Sequence, residues 1–218
     1  MPASASSRPR RADAERNRAR ILDAAAEIFA ERGLDASMPE LAERAGVGVG
    51  TVYRAFPDKE HLLGAVMATR MHWFADEIEA ATAADDAWAA FADVMRKGAA
   101  LHLKDRAYQE CMPDALALPD ARAARERILD AMQRLIDGAQ AQGVMRADVV
   151  AEDIPMLLAG VGRSRAGGPG PGWERHLAVI VDGLRAEGAR PLPSKPLRRA
   201  ELDALMRRQP PPTGTRSR

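Results

Sequence analysis

The sequence predicts an all-α fold, with a small N-terminal group of helices followed by a larger helical domain. Composition is the first reason: 44 of 218 residues are Ala, aromatics make up 4%, and β-branched residues are scarce. That mixture favours helices over sheets. Patterning is the second. Apolar residues recur at i, i+3, i+4 and i+7 through most of the chain, and Ser, Asp, Pro and Gly fall where such stripes start and stop. The third is the lack of staples. Cys111 is the only cysteine, so no internal disulfide and no Cys-based zinc site forms, and a chain of this length buries a core without either.

Residues 1–13 are rich in Ser, Arg and Pro and read as a flexible basic arm. From Asp13 to Arg32, the residues Ile21, Leu22, Ala25, Ile28 and Phe29 make one stripe, stopped at Gly33. Ser37-Met38-Pro39-Glu40 is a capping box and opens a short helix to Ala45, ended by Gly46. Val47-Gly48 leads into a third helix, Val49 to Phe56, broken by Pro57. Asp58 caps a long fourth helix reaching Ala81, with Leu62, Val66, Thr69 and Trp73 on one face and Leu63, Met67 and Phe74 beside it. A helix bearing Trp88, Phe91, Met95 and His102 follows Asp85-Asp86, and a weaker segment runs from Tyr108 to Leu118. Pro119-Asp120 opens a helix with Ala124, Ile128, Leu135 and Ala139 on one side, closed at Gly143. A short apolar helix spans 151–163, and the Gly/Pro run 167–172 is a loop. Trp173 starts the last strong helix, and Arg199 to Arg207 allows one short helix more. Residues 208–218 read as a disordered tail. The divisions expected are 1–13, a helix-turn-helix unit over 14–60, a helical domain over 61–207, and the tail.

Charge is unevenly spread. The net charge is +1, yet residues 1–20 carry +4 and 190–218 carry +6, leaving −9 on the 169 residues between. An acidic body with basic ends fits a protein that meets a polyanion through one small part, although basic ends also serve solubility alone. There is no apolar run of ~18 residues for a membrane span, and no apolar core near the N-terminus for a secretion signal. A cytoplasmic location is expected.

Residues 37–56 carry the chemistry. Two short helices joined by a tight glycine-containing turn above a longer helix make a helix-turn-helix, which presents its second helix to a major groove. In that helix Val52 and Phe56 turn inward. Thr51 and Tyr53 then offer hydroxyls to phosphates, and Arg54 offers a guanidinium to phosphate or guanine. Gly50 and Ala55 let the helix approach closely, and Lys59 opens the next helix beside its backbone N–H groups. A plain helical hairpin with glycines in its turn has the same spacing.

The ordered run Ile21-Leu22-Asp23-Ala24-Ala25, Phe29-Ala30-Glu31-Arg32-Gly33, Leu41-Ala42-Glu43-Arg44-Ala45-Gly46-Val47, Gly50-Thr51-Val52-Tyr53-Arg54-Ala55-Phe56 and Lys59-Glu60 resembles the DNA-binding region of the tetracycline-repressor (TetR/AcrR) family. The likeness covers about a fifth of the chain. It implies a ligand-responsive transcriptional regulator, most often a repressor. Such a protein binds a palindromic operator in double-stranded DNA as a homodimer and is released by a small-molecule effector. It implies phosphate contacts from Thr51, Tyr53 and Lys59, with Val49, Gly50 and Arg54 nearest the bases; Ser37, at the start of the preceding helix, joins this set. Two positions depart from the family pattern: Ala55 where many members have His, and Gly48 where many have Ser or another polar residue.

The resemblance also implies a dimer face on the last helices. Leu157, Leu158, Val161, Leu177, Ile180, Val181 and Leu184 are its candidates, and serve equally well as core of a single chain. A ligand pressed on the far half of the fourth helix, near Trp73 or His72, would move its near half at Lys59. Trp88, Phe91, Met95, His102, Met112 and Met132 are further candidates for the effector pocket, each also an ordinary core residue. His61, His72, His102 and His176 lack metal-ligand spacing, and no catalytic constellation or phosphate-binding glycine loop stands out. No metal, cofactor or enzymatic activity is expected. An effector-independent architectural DNA-binding protein is the alternative, separable by whether binding is sequence-specific.

Overall fold

The computed structural model describes residues 7–32, 35–104, 118–163 and 172–207. Helices α1 (Ser7–Arg32), α2 (Met38–Ala45), α3 (Val49–Ala55) and α4 (Lys59–Ala81) come first. Helices α5 (Ala87–Lys104), α6 (Pro119–Ala141), α7 (Ile154–Arg163), α8 (Gly172–Asp182) and α9 (Arg199–Arg207) follow, with a 3-10 turn at Ala151–Asp153. No strand occurs among the described residues, and none of their helices is long and apolar enough to cross a membrane.

Local chemistry sets most boundaries. Ser37 caps α2 in a closed capping box: Glu40 N donates to Ser37 Oγ, and Ser37 N donates to Glu40 Oε2 at 2.8 Å. Gly46 ends α2 in the left-handed region at φ 63°, its N–H shared between the carbonyls of Ala42 and Glu43. Asp58 accepts from the His61 N–H at 2.8 Å and starts α4. Two boundaries differ from the sequence reading: the helix from Trp173, expected to run to about Gly188, ends at Asp182 with Gly183 next, and the first helix starts early. Helix α1 begins at Ser7, six residues before the expected Asp13, so a helix replaces half of the expected arm. Propensity explains it: Ala and Arg are strong helix formers and dominate this stretch, and proline is tolerated in a first turn. The weak segment at 108–118 falls, up to residue 117, outside the described residues, as do the Gly/Pro run as far as 171, Cys111 and the tail from 208.

Two cores share α4. The first gathers Ile21, Phe29, Leu41, Val52, Phe56, Leu62 and Met67, and closes on Ala121 and Ala124 of α6. The second holds Phe74, Ile78, Phe91, Met95, Leu129, Leu135 and Ile154. The first core extends along α4 to Met71, and the second begins at Phe74. A division at residue 60 therefore falls at the start of a helix that both cores use. Glycines let the helices close: a Cβ on Gly98 of α5 would meet Leu158 at 2.9 Å and Phe74 at 3.0 Å.

Candidate nucleic-acid interface and effector cavity

Helix α3 stands on the first core by Val52 and Phe56, both buried, and turns its other side outward. Val49, Gly50, Tyr53 and Arg54 are exposed, Tyr53 to 48%. Thr51 is half-buried and accepts a hydrogen bond from Arg54 Nη2 at 3.1 Å. That bond leaves the Thr51 hydroxyl hydrogen free to donate and holds the guanidinium along the helix. No atom lies within 4 Å of a Cβ built on Gly50, so the surface there is open to close approach by a partner.

Two arginines of α1 fix this exposed helix in place, a role the sequence did not reveal. Arg18 Nη1 reaches the Ala55 carbonyl at 3.4 Å while its guanidinium lies 4.4 Å over the Phe56 ring. Arg20 Nη2 donates to the Gly46 carbonyl at 3.1 Å. One holds the end of α3 and the other the turn before it. Ion pairs Arg44–Glu27, Arg44–Glu31 and Arg32–Glu40 tie α2 to α1 from outside.

Two sequence candidates have other duties. The Ser37 hydroxyl donates to Glu40 Oε2 at 2.8 Å and accepts from its N–H. With both functions spent on the cap, Ser37 positions α2 and has no proton left for a phosphate. Lys59 does open α4, half-buried, but the expected pairing with free backbone N–H groups is altered. The Asp58 carboxylate already occupies that helix start, and the hydrogen bonds from His61 hold its pKa below the usual value.

Farther along α4 lies a cavity of about 70 Å³. Met71 and Phe74 form one wall, one from each core, so the cavity sits where the cores meet. His102, Arg125, Ile128, Leu129, Met132, Leu158 and Met206 are among the rest. Of the expected pocket residues, His102 and Met132 are there. Phe91 and Met95 are fully buried in the second core without lining the cavity. Trp88 lies at another end of the domain, where the Arg185 guanidinium stacks 4.3 Å over its ring. Trp73 points to solvent at 46% exposure, and half-buried His72 meets Asp120 at 3.4 Å. The reason is helical phase. At 100° per residue the buried line of α4 runs through Met67, Met71, Phe74 and Ile78, and Trp73 falls off it. Met112 is outside the described residues.

The sequence reading also missed Arg125. It is 7% exposed and stands inside the apolar stripe of α6, three residues before Ile128 and four after Ala121. A charged residue in phase with an apolar stripe was the available signal.

Burial lowers the His102 pKa to about 4, so the ring is neutral at pH 7. The unfolded ring takes its proton near its ordinary value of about 6.5. The unfolded state therefore binds more protons between the two values, and stability falls as pH drops from about 6.5 to 4, by up to about 3 kcal/mol. Thermal melts against pH check this: His102→Gln flattens that part of the curve, and a wild-type curve flat through the window contradicts it.

Of the proposed dimer-face residues, four turn inward. Leu158, Val161, Leu177 and Leu184 are buried in the chain's own second core, Leu158 at the cavity. Leu157, Ile180 and Val181 are half-buried against that core, and Val179 beside them is 63% exposed.

Known proteins share this arrangement. Residues 21–66 match the model of bacterial regulatory proteins of the tetR family, and residues 83–186 match the C-terminal domain of SbtR-like transcriptional regulators. A TetR transcription regulatory protein from Mycobacterium vanbaalenii superposes with a TM-score of 0.59 at 38% identity, over 80% of this chain and 98% of that one. The chain belongs to the TetR family. Among named relatives, the HTH-type regulator SrpR of Pseudomonas putida is 47% identical over 28% of this chain, and the HTH-type repressor KstR of Mycobacterium tuberculosis 34% identical over 60%. The chain spans 29% of the former and 60% of the latter, less than two thirds of either. In this TetR-family chain the first match runs from the latter part of α1 through the start of α4, and the second ends before α9.

Proposed function

We propose that the protein is a ligand-responsive transcriptional repressor, binding a palindromic operator as a homodimer and leaving it when a small molecule enters the cavity. One observation carries the reading. Helix α4 begins at Lys59 beside the reading head and passes Met71 and Phe74 in the cavity wall. The two points lie roughly 20 Å apart on one helix. A molecule wedged between the cores tilts that helix, and the tilt moves α3 relative to its copy across the dimer. The effector releases DNA only insofar as it binds the tilted arrangement better. Two heads on one duplex face require half-sites about one helical turn apart, ~34–36 Å, or somewhat more. Val49, Gly50, Thr51, Tyr53 and Arg54 are the contacts proposed, Lys59 a flanking one.

Selection from random duplexes, followed against salt, tests the proposal. An enriched inverted repeat is expected. Steep salt-dependent binding without enrichment points to an architectural protein instead, and no DNA binding overturns both.

The dimer face is proposed on the outer side of α7 and α8, around Leu157, Val179, Ile180 and Val181. Val179→Glu adds a charge at an exposed site without disturbing the core. It is expected to yield monomers in light scattering at micromolar concentration, with the melting temperature of the subunit little changed. An intact dimer places the interface elsewhere.

A further inference from the structure

Helix α9 lies beyond both matched regions, the second of which ends at residue 186. Four of its residues nevertheless tie it to the cavity region. Arg199 donates to Glu126 at 2.7 Å, Asp130 at 2.6 Å and Glu152 at 3.1 Å. Leu202 is fully buried. Asp203 pairs with Arg125 Nη1, and Met206 lines the cavity itself. With α9 docked the cavity holds about 70 Å³, roughly half of the 150 Å³ that accepts benzene in an engineered core. A molecule of drug size needs the cavity opened, and Asp203 and Met206 place the second half of α9 at its edge.

Arg125 says what such a molecule carries. Asp203 meets only Nη1; Nη2 is buried with no hydrogen-bond partner among the described residues. A buried N–H without an acceptor is costly, more so on a cation. The guanidinium fork matches the two oxygens of one carboxylate. The walls around it are otherwise mainly apolar, Met71, Phe74, Ile128 and Met132 among them.

Resting on the reading of this cavity as the effector site, we propose that its ligand is a small amphiphilic carboxylate and that α9 is the lid it displaces. The acid head takes both guanidinium nitrogens and the apolar body fills the space vacated by Met206. Asp203 passes to water, a short step for a side chain already 29% exposed. Arg199, at the start of α9, stays on its three carboxylates and serves as the hinge. A neutral ligand of the same shape displaces Asp203 without replacing its charge and leaves a buried cation unpaired. The site therefore selects acids.

Calorimetry on the full chain with decanoate and decanol as probes tests this. Wild type is expected to bind decanoate at least about tenfold more tightly than decanol. Asp203→Asn removes the competing charge at nearly constant size, and should tighten both probes about tenfold, since neither then breaks the Arg125–Asp203 pair, with decanoate still the tighter. Arg125→Gln should bring the two affinities together. If that variant fails to fold, as a melt would show, Asp203→Asn decides alone. Equal binding of both probes, indifferent to Asp203, overturns the acid selectivity and the lid. Binding of neither probe to wild type or Asp203→Asn overturns them as well. Operator binding by the same proteins is measured alongside. A chain that binds an operator and releases it on adding decanol and decanoate equally keeps its proposed function and loses only this inference. A chain that binds no operator loses the function whatever the probes do.

Discussion

Gly50→Glu is expected to abolish operator binding while leaving the fold at least as stable. Gly50 is the second residue of α3, after the Gly48 cap, and its Cβ position is open space. Glycine is a poor helix former, and any ordinary residue here gains up to about 1 kcal/mol. A carboxylate in the first turn of a helix adds about 0.3–1 kcal/mol through the helix dipole. At the proposed interface the same carboxylate faces phosphates on a surface built for contact. Like charges juxtaposed at an interface cost several kcal/mol, and each 1.4 kcal/mol is tenfold. A loss of at least about 100-fold in operator affinity follows, with the melting temperature unchanged or raised. Retained operator affinity in a gel-shift titration removes α3 from the interface.

Phe56→Ala has the opposite profile, losing stability and binding together. Phe56 is 2% exposed, caps the C-terminus of α3 and carries the Arg18 guanidinium over its ring. Truncating a buried Phe to Ala costs about 3–5 kcal/mol, a large share of a total stability of about 5–15 kcal/mol. The variant also frees Arg18, which holds the last carbonyl of α3. Operator affinity should therefore drop even at temperatures where the chain remains folded. Phe56→Leu keeps most of the volume and loses the ring; its cost should stay below about 1.5 kcal/mol. Chemical denaturation checks both values. Equal losses for Ala and Leu place the effect in the ring contact with Arg18 rather than in the core.

These two positions were legible early because their signals are local. The capping box at Ser37, the glycine stop at Gly46 and the Asp58 cap each act within four residues. They decide where α2, the turn and α4 begin. The i, i+4 spacing of Val52 and Phe56 then turns one side of α3 inward, and the rest of that helix becomes the exposed head. The outcome at Ser37 shows the limit of such reasoning. A hydroxyl beside a helix proposed to meet DNA suits a phosphate, yet the same hydroxyl is the cap, and the nearer partner holds it.

The cavity was less legible. Trp73 and Trp88 are large and apolar, which is all a sequence shows of a pocket wall. Trp73 lies outside the buried phase of α4, and Trp88 packs beneath an arginine distant in sequence. The same ambiguity affected α7 and α8. An apolar stripe identifies a face that must be covered; it does not say whether this chain or its copy covers it. Leu158, Val161, Leu177 and Leu184 are covered by their own chain.

The sequence by itself therefore determined the all-α class, the starts and stops of most helices, and the inward and outward sides of α3. Caps, turns and helical phase are properties of a few consecutive residues, with free-energy differences large enough to be read locally. Tertiary structure alone decided which residues enclose the cavity, how Arg125 is neutralised, and where α9 docks. The Arg125–Asp203 pair spans 78 residues, and the Arg199 ion pairs span 47 to 73. Such contacts depend on how helices cross, which is set by side-chain packing over the whole core and leaves no periodic trace in the chain.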